Sequence, residues 1–330
     1  MKKVLVVSLI FALTSITFAV LKKRATGERK SFSFGGKERA YRIYIPESVK
    51  KSSSPVPLVF CFHGGGGNAE IASKMGWTPI AEEEKFIVVY PEGLNRHWND
   101  GRNSKKFEEQ DAKTDDVGFV VALLDQLEKE MPRIDPKRVF ITGASNGGFF
   151  SHRVAIEASD RFAAAGIFIA PMPKPFATGE KPFRPGHPIS IMIVNGTADP
   201  FVPYKGGPIT PNFTPQRKRS SDVNFGRGQC SSTDKAIALW LKHNQLEGQK
   251  PKVESLPDKD PNDGCTVEKF IWSGDKDGAS VILYKVKGGG HTVPGGSQYL
   301  PQRIIGKTCQ DFDGLRAAWE FFKAHPKVKK

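Results

Sequence analysis

The chain is predicted to be an α/β protein with a mostly parallel central sheet covered by helices on both faces. Two observations predict it. Short, continuous apolar runs recur along the chain, each ending in a turn signal, as strands buried on both faces do. Helical patterns fill the gaps between these runs, and such alternation builds parallel sheets. The 330 residues suit one large α/β domain, and a composition 38% hydrophobic and 25% charged excludes a wholly disordered chain.

The elements follow in order. Ser31–Phe34 and Tyr41–Ile45 are expected to open the domain as two short strands. Then come Leu58–Phe62 before His63-Gly64-Gly65-Gly66-Gly67, Phe86–Tyr90 before Pro91-Glu92-Gly93, and Val139–Thr142 before Gly143. Ala165–Ile169, Ile189–Val194 and Val281–Val286 complete the set, the last running into Gly288-Gly289-Gly290. Val120, Leu124, Leu127 and Met131 share one helical face. Ser231, with Asp234 three residues later, reads as a helix start for Ala236–His243, with Trp240 inward. A last helix is expected near Leu315–Lys323. Three polar segments, Asn95–Thr114, Met172–His187 and Tyr204–Gln229, read as long surface loops and candidate rims of a site.

The first residues read as a targeting segment. Met1-Lys2-Lys3 is basic, Val4–Ile16 is apolar, and Thr17-Phe18-Ala19 places small residues at the cleavage positions. The expected organisation is a signal peptide over 1–19, a linker over 20–30 and one catalytic domain over 31–330, exported from the cytosol. After cleavage no membrane association is expected. The four cysteines, Cys61, Cys230, Cys265 and Cys309, show no CxxC spacing, so a zinc or thioredoxin site is not expected. Cys61 lies inside an apolar strand and reads as a core residue. At most one bridge then remains among the other three, its pairing open.

The chemistry is carried by Gly143-Ala144-Ser145-Asn146-Gly147, which follows a strand and precedes a helix. In that setting G-x-S-x-G is a sharp turn that exposes a strained serine at a helix N-terminus, where developing negative charge is favoured. Bulky residues at Gly143 or Gly147 would clash. A serine hydroxyl needs a base, and the base needs an acid to hold it. The order on this architecture is Ser, then acid, then His. Among seven histidines, His291 follows a strand and a glycine triplet, whereas His325 sits in a tail expected to be solvated. Asp199 lies just past strand Ile189–Val194, at the sheet's carboxyl edge; Asp222 and Asp234 are rivals in a loop and at a helix start. Oxyanion donors are expected from the amides of Asn146 and Gly65, with Gly64 and Gly66 as alternatives. His63 reads as a brace for its loop. No Gly-Lys-Ser/Thr follows the glycines, so they are not a phosphate loop.

Several stretches resemble one family. They are His63–Asn68, Tyr90–Asn95, Trp98–Arg102, Asp115–Phe119, Ile141–Gly148, Asn195–Tyr204 and Gly288–Gly296. Together they are similar to secreted α/β-hydrolase esterases of the poly(3-hydroxybutyrate) depolymerase and feruloyl or acetylxylan esterase group, carbohydrate esterase family 1. The resemblance implies a Ser145, Asp199, His291 triad, no metal and no organic cofactor. It implies an ester substrate, either a feruloyl or acetyl ester on plant polysaccharide or a hydroxyalkanoate polyester. Many members carry Cys in the oxyanion loop where this chain has Gly.

Trp98 sits in a polar loop and is a candidate aromatic wall for the substrate, its alternative being a core anchor. Asp115 and Asp116 read as caps of the following helix. The net charge of +14 would draw the chain to acidic polysaccharide, or it is simply a solvated surface. The basic runs Arg217-Lys218-Arg219 and Lys327–Lys330 lack interleaved aromatics, so nucleic acid is not an expected partner. Oligomeric state is not legible. A non-catalytic carbohydrate-binding protein of hydrolase ancestry is the rival of another class, and would be expected to have lost a triad member.

Overall fold

A computed structural model describes residues 26–131, 133–210, 226–274 and 278–327. The signal-peptide segment and the Arg217–Arg219 run lie outside these residues, as do Asp222 and the last lysines.

Ten strands form one sheet: β1 Glu28–Phe34, β2 Lys37–Tyr44, β3 Val56–Phe62, β4 Ile87–Pro91, β5 Ile134–Ala144, β6 Ala164–Phe168, β7 Ser190–Gly196, β10 Lys252–Ser255, β11 Thr266–Trp272 and β12 Val281–Lys287. A small ribbon pairs β8 Gly207–Pro208 with β9 Gln229–Cys230. The sheet order is β1-β2-β4-β3-β5-β6-β7-β12-β11-β10. The six central strands, β4 to β12 in that order, are parallel, and antiparallel pairs flank them at both edges.

The central parallel strands β3, β4, β6 and β7 are buried at every position because both faces are covered, and the second half of β5, Val139–Ala144, is buried likewise. On β3, Leu58, Phe60 and Phe62 enter one core and Val59 and Cys61 the other, as a period of two requires. The first core also takes α2 Asp116–Glu130 and α3 Asn146–Glu157, and Trp240 of α4 Thr233–His243. The second takes α1 Trp77–Glu84 and α5 Gly314–Ala324, where Trp319 stacks on Phe86 with ring centroids 3.9 Å apart. Among the described residues no helix is long and apolar enough to cross a membrane.

Three sequence expectations change. Strands β10 and β11 were not anticipated: they lie at the sheet edge, mostly exposed or half-buried, and so lack a continuous apolar run. The cap of α4 is Ser232, whose side chain accepts from the Lys235 N–H, and Ser231 lies one residue outside. Asp115 does cap α2, accepting from the Gly118 N–H at 2.8 Å. Asp116 is instead buried in an ion pair with Arg39 at 2.6 Å and accepts the Asn99 N–H at 2.8 Å.

All four cysteines are buried thiols. Cys61 is a core residue, its thiol pushed up to about 12 by burial. Cys265 and Cys309 are neighbours, grouped with Asp263 so that their polar atoms lie within 4.8 Å of one another. Both Asp263 oxygens already accept backbone N–H groups, those of Cys265 and Gln310, at 2.7 Å each.

Candidate active site

Three strand ends converge at the carboxyl edge of the sheet. Ser145 follows β5, Asp199 lies three residues beyond β7, and His291 lies four residues beyond β12. The turn at Ser145 is strained, with φ 56° and ψ −121°, a conformation rarely adopted by a residue with a side chain. Close packing holds it. A Cβ on Gly147 would meet the Phe62 and His63 carbonyl oxygens at 2.2 and 2.6 Å, and one on Gly143 would meet the Gly147 backbone at 2.5 Å. The Ser145 N–H donates to the Phe168 carbonyl at 3.0 Å, fixing the turn to β6.

Ser145 Oγ lies 3.0 Å from His291 Nε2, and His291 Nδ1 lies 2.7 Å from Asp199 Oδ2. The other Asp199 oxygen accepts the N–H groups of Phe201 and Val202, both at 2.8 Å. Both carboxylate oxygens are thus engaged and the side chain has one orientation. The His291 loop is equally fixed: the His291 N–H donates to the Ile305 carbonyl, and Gly290 N–H to that of Lys307. A hydroxyl within reach of an imidazole that a buried carboxylate orients can lose its proton to that imidazole as it attacks a carbonyl.

Four of the other histidines pack or bond away from the triad. His63 Nε2 accepts the Gly93 N–H at 3.0 Å, and the proton this leaves on Nδ1 goes to the Gly64 carbonyl at 2.8 Å. Burial lowers its pKa to about 4, so it stays neutral and braces the glycine loop. His152 is buried between the Trp240 indole N–H and the Ala170 carbonyl, its pKa lowered to about 3. His97 stacks on Phe107 and faces Asp111. His325, expected in solvent, is half-buried against Phe321.

The glycine loop lies over the turn. A Cβ on Gly64 would lie 3.8 Å from Ser145 Cβ, and one on Gly65 3.6 Å from Asn146 Cβ. The Gly66 amide is committed to the Arg96 carbonyl at 2.9 Å, and the Gly67 amide to that of Gly64 at 2.9 Å. Gly66 therefore drops out as an oxyanion donor, leaving Gly64 and Gly65 beside Asn146.

Trp98 does not line the site as a substrate wall; of its two sequence readings, the core anchor is the one the structure has. It is 0% exposed. Its ring stacks on Phe150 at 4.7 Å and meets Phe62 edge-on at 5.4 Å, and its indole N–H donates to the His63 carbonyl at 3.1 Å. The polar neighbours that suggested exposure are satisfied internally. Asn146 Nδ2 donates to Asp100 Oδ2, which also takes the Arg102 guanidinium at 2.6 Å. This Asp100–Arg102 link to Asn146 was not anticipated; the Trp98-Asn99-Asp100-Gly101-Arg102 motif marks its place but not its inward course.

Comparison with known proteins agrees with the fold and with ester hydrolysis. Residues 33–240 match the family model Esterase. NocK of Nocardia uniformis subsp. tsuyamanensis, an esterase by name, is 27% identical over 90% of this chain and 83% of its own. The bifunctional acetylxylan esterase/xylanase XynS20E of Neocallimastix patriciarum is 26% identical over 78% of this chain, which spans only 36% of that protein. Poly(3-hydroxyalkanoate) depolymerase C of Paucimonas lemoignei is 34% identical over 37% of this chain and 29% of its own length. The acetyl xylan esterase of Aspergillus awamori superposes with TM-score 0.57 at 16% identity, over 90% of this chain and all of that one. The fold is that of the α/β-hydrolases, and the chain belongs to the Esterase family. It is a carboxylic ester hydrolase.

Proposed function

We propose that this chain is an exported serine esterase that cleaves acetyl or feruloyl esters of plant polysaccharide through an acyl-enzyme. One observation carries the mechanism: the unbroken chain of contacts from Ser145 Oγ through His291 to Asp199. Ser145 attacks the ester carbonyl while His291 Nε2 takes its proton. The tetrahedral oxyanion is held by the amide of Asn146 and that of Gly65. Collapse expels the alcohol, which takes the proton back from His291. Water then attacks the acyl-enzyme by the same route, His291 accepting its proton and returning it to Ser145. Asp199 keeps His291 in the tautomer that presents Nε2 to the serine and stabilises the transient cation. No step needs a metal or an organic cofactor. The polysaccharide reading draws on the acetylxylan relative and on the family resemblance of the sequence. The polyester reading draws on the depolymerase relative, which matches a shorter stretch.

Diethyl p-nitrophenyl phosphate tests the mechanism. It should abolish esterase activity and leave one diethylphosphoryl group, located on Ser145 by peptide mass spectrometry. Retained activity without an adduct, or inactivation by an adduct elsewhere, overturns the assignment.

A further inference from the structure

With Trp98 buried, any aromatic surface offered to substrate comes from another residue. Among the described residues, the large apolar side chains that are well exposed are Ile71, Val253, Tyr299 and Leu300. Ile71 sits on the short helix Ala69–Ser73 and Val253 on edge strand β10. Tyr299 and Leu300 are consecutive, and Tyr299 is the aromatic one. It follows His291 by eight residues and is 56% exposed.

Tyr299 is held in place. Its hydroxyl donates to the His291 backbone carbonyl at 3.0 Å. Its loop is pinned by Gln298, whose Nε2 donates to the Leu300 and Gly306 carbonyls at 2.7 and 3.0 Å. Gln298 Oε1 accepts from the Thr308 N–H and hydroxyl at 3.0 and 2.9 Å. The polar end of the ring is tied to the backbone of His291, so the exposed part of Tyr299 is held beside that residue in one orientation. Exposed aromatic surface fixed beside a polar site is a recurring feature of ligand recognition.

The chemistry of the step says which half of the substrate meets it. The carbonyl oxygen must lie toward Asn146 and the glycine loop. The alcohol oxygen must come within reach of His291 Nε2, which returns its proton. The leaving group therefore lies on the His291 side, where Tyr299 stands. From this placement we infer that Tyr299 is a specificity-determining platform on which the sugar ring of the leaving alcohol stacks by its C–H face. This rests on the Ser145–His291 reading and extends it to the alcohol half of the substrate.

The test holds the acyl group constant and changes the alcohol. Acetylated xylo-oligosaccharide and methyl acetate are compared on the full chain. Tyr299→Ala should lower the ratio of kcat/KM for the sugar ester to that for methyl acetate at least fivefold, through KM. Tyr299→Phe, which keeps the ring, should hold the ratio within twofold of wild type. If Ala lowers the melting temperature, Tyr299→Leu retains bulk without a flat face and should show the same split. An unchanged ratio, or equal losses on both esters, overturns the platform. So does a selective loss on a hydroxybutyrate dimer with none on the sugar ester. Ser145→Ala, assayed alongside, separates the failures: wild-type turnover there would refute the triad reading instead.

Discussion

Trp98 and Asn146 are bonded to each other twice: the Trp98 N–H donates to Asn146 Oδ1 at 2.9 Å, and Asn146 Nδ2 donates to the Trp98 carbonyl at 3.1 Å. The residue after the candidate nucleophile is thus locked to a loop that is itself anchored in the core. The lock fixes the first turn of α3, where the Asn146 amide would meet the oxyanion.

Truncating either partner should act on different quantities. Trp98→Ala empties a core site and should cost about 3–5 kcal/mol of stability, with similar activity losses on methyl ferulate and p-nitrophenyl acetate. Asn146→Ala keeps the backbone amide but strands buried partners, costing about 1–3 kcal/mol, and should lower kcat more than it raises KM. Urea unfolding with steady-state kinetics checks both. A Trp98→Ala protein of wild-type stability that loses activity on the aromatic ester alone would return Trp98 to the substrate wall.

Gly147→Ala should be severely destabilising, because the added Cβ would sit 2.2 Å from the Phe62 carbonyl oxygen, a backbone atom that cannot step aside cheaply. Overpacking of this kind costs typically about 1–3 kcal/mol or more. Ala at Gly66, where the added Cβ meets nothing within 4 Å, bears only the strain of φ +77°. A melting temperature for Gly147→Ala equal to or above that of Gly66→Ala would contradict the packing account of the turn.

Acid should destabilise the fold through its buried histidines. His63 and His152 protonate in the native state only near about 4 and about 3, because burial disfavours the cation. In the unfolded chain they protonate near the ordinary value of about 6.5. Between these limits the unfolded state binds more protons, so unfolding free energy falls as pH drops. At about 1.4 kcal/mol per pH unit, His63 alone accounts for about 3 kcal/mol by pH 4. Urea midpoints should decline steadily from pH 6.5 to 4.5, and less steeply in His152→Asn if that variant folds. A flat or rising midpoint would show these imidazoles to be solvated.

The parallel core was legible because strands covered on both faces leave continuous apolar runs, and the residues just past β5, β7 and β12 could then be placed at one edge. Ser145, Asp199 and His291 were legible for that reason, and the structure brings their side chains together. Strands β10 and β11 escaped notice because Lys252–Ser255 and the half-buried residues of Thr266–Trp272 have no apolar run to show. Trp98 misled because its polar neighbours satisfy one another: Asp100 is paired with Arg102 and Asn146, and Asn99 with Asp116. A local sequence does not reveal such long-range pairing. Asp116 was misread likewise, since its partner Arg39 lies in β2.

If Ser145 supplies the nucleophile, the turnover of Ser145→Ala decides the mechanism. Alanine removes only the hydroxyl, so the purified variant should keep its circular dichroism. Loss of a triad member leaves only oxyanion and binding effects, a fall of about 10⁴ to 10⁶ in kcat. That fall is expected on acetylated xylo-oligosaccharide and p-nitrophenyl acetate alike. Turnover within tenfold of wild type by folded Ser145→Ala protein would contradict Ser145 as the nucleophile.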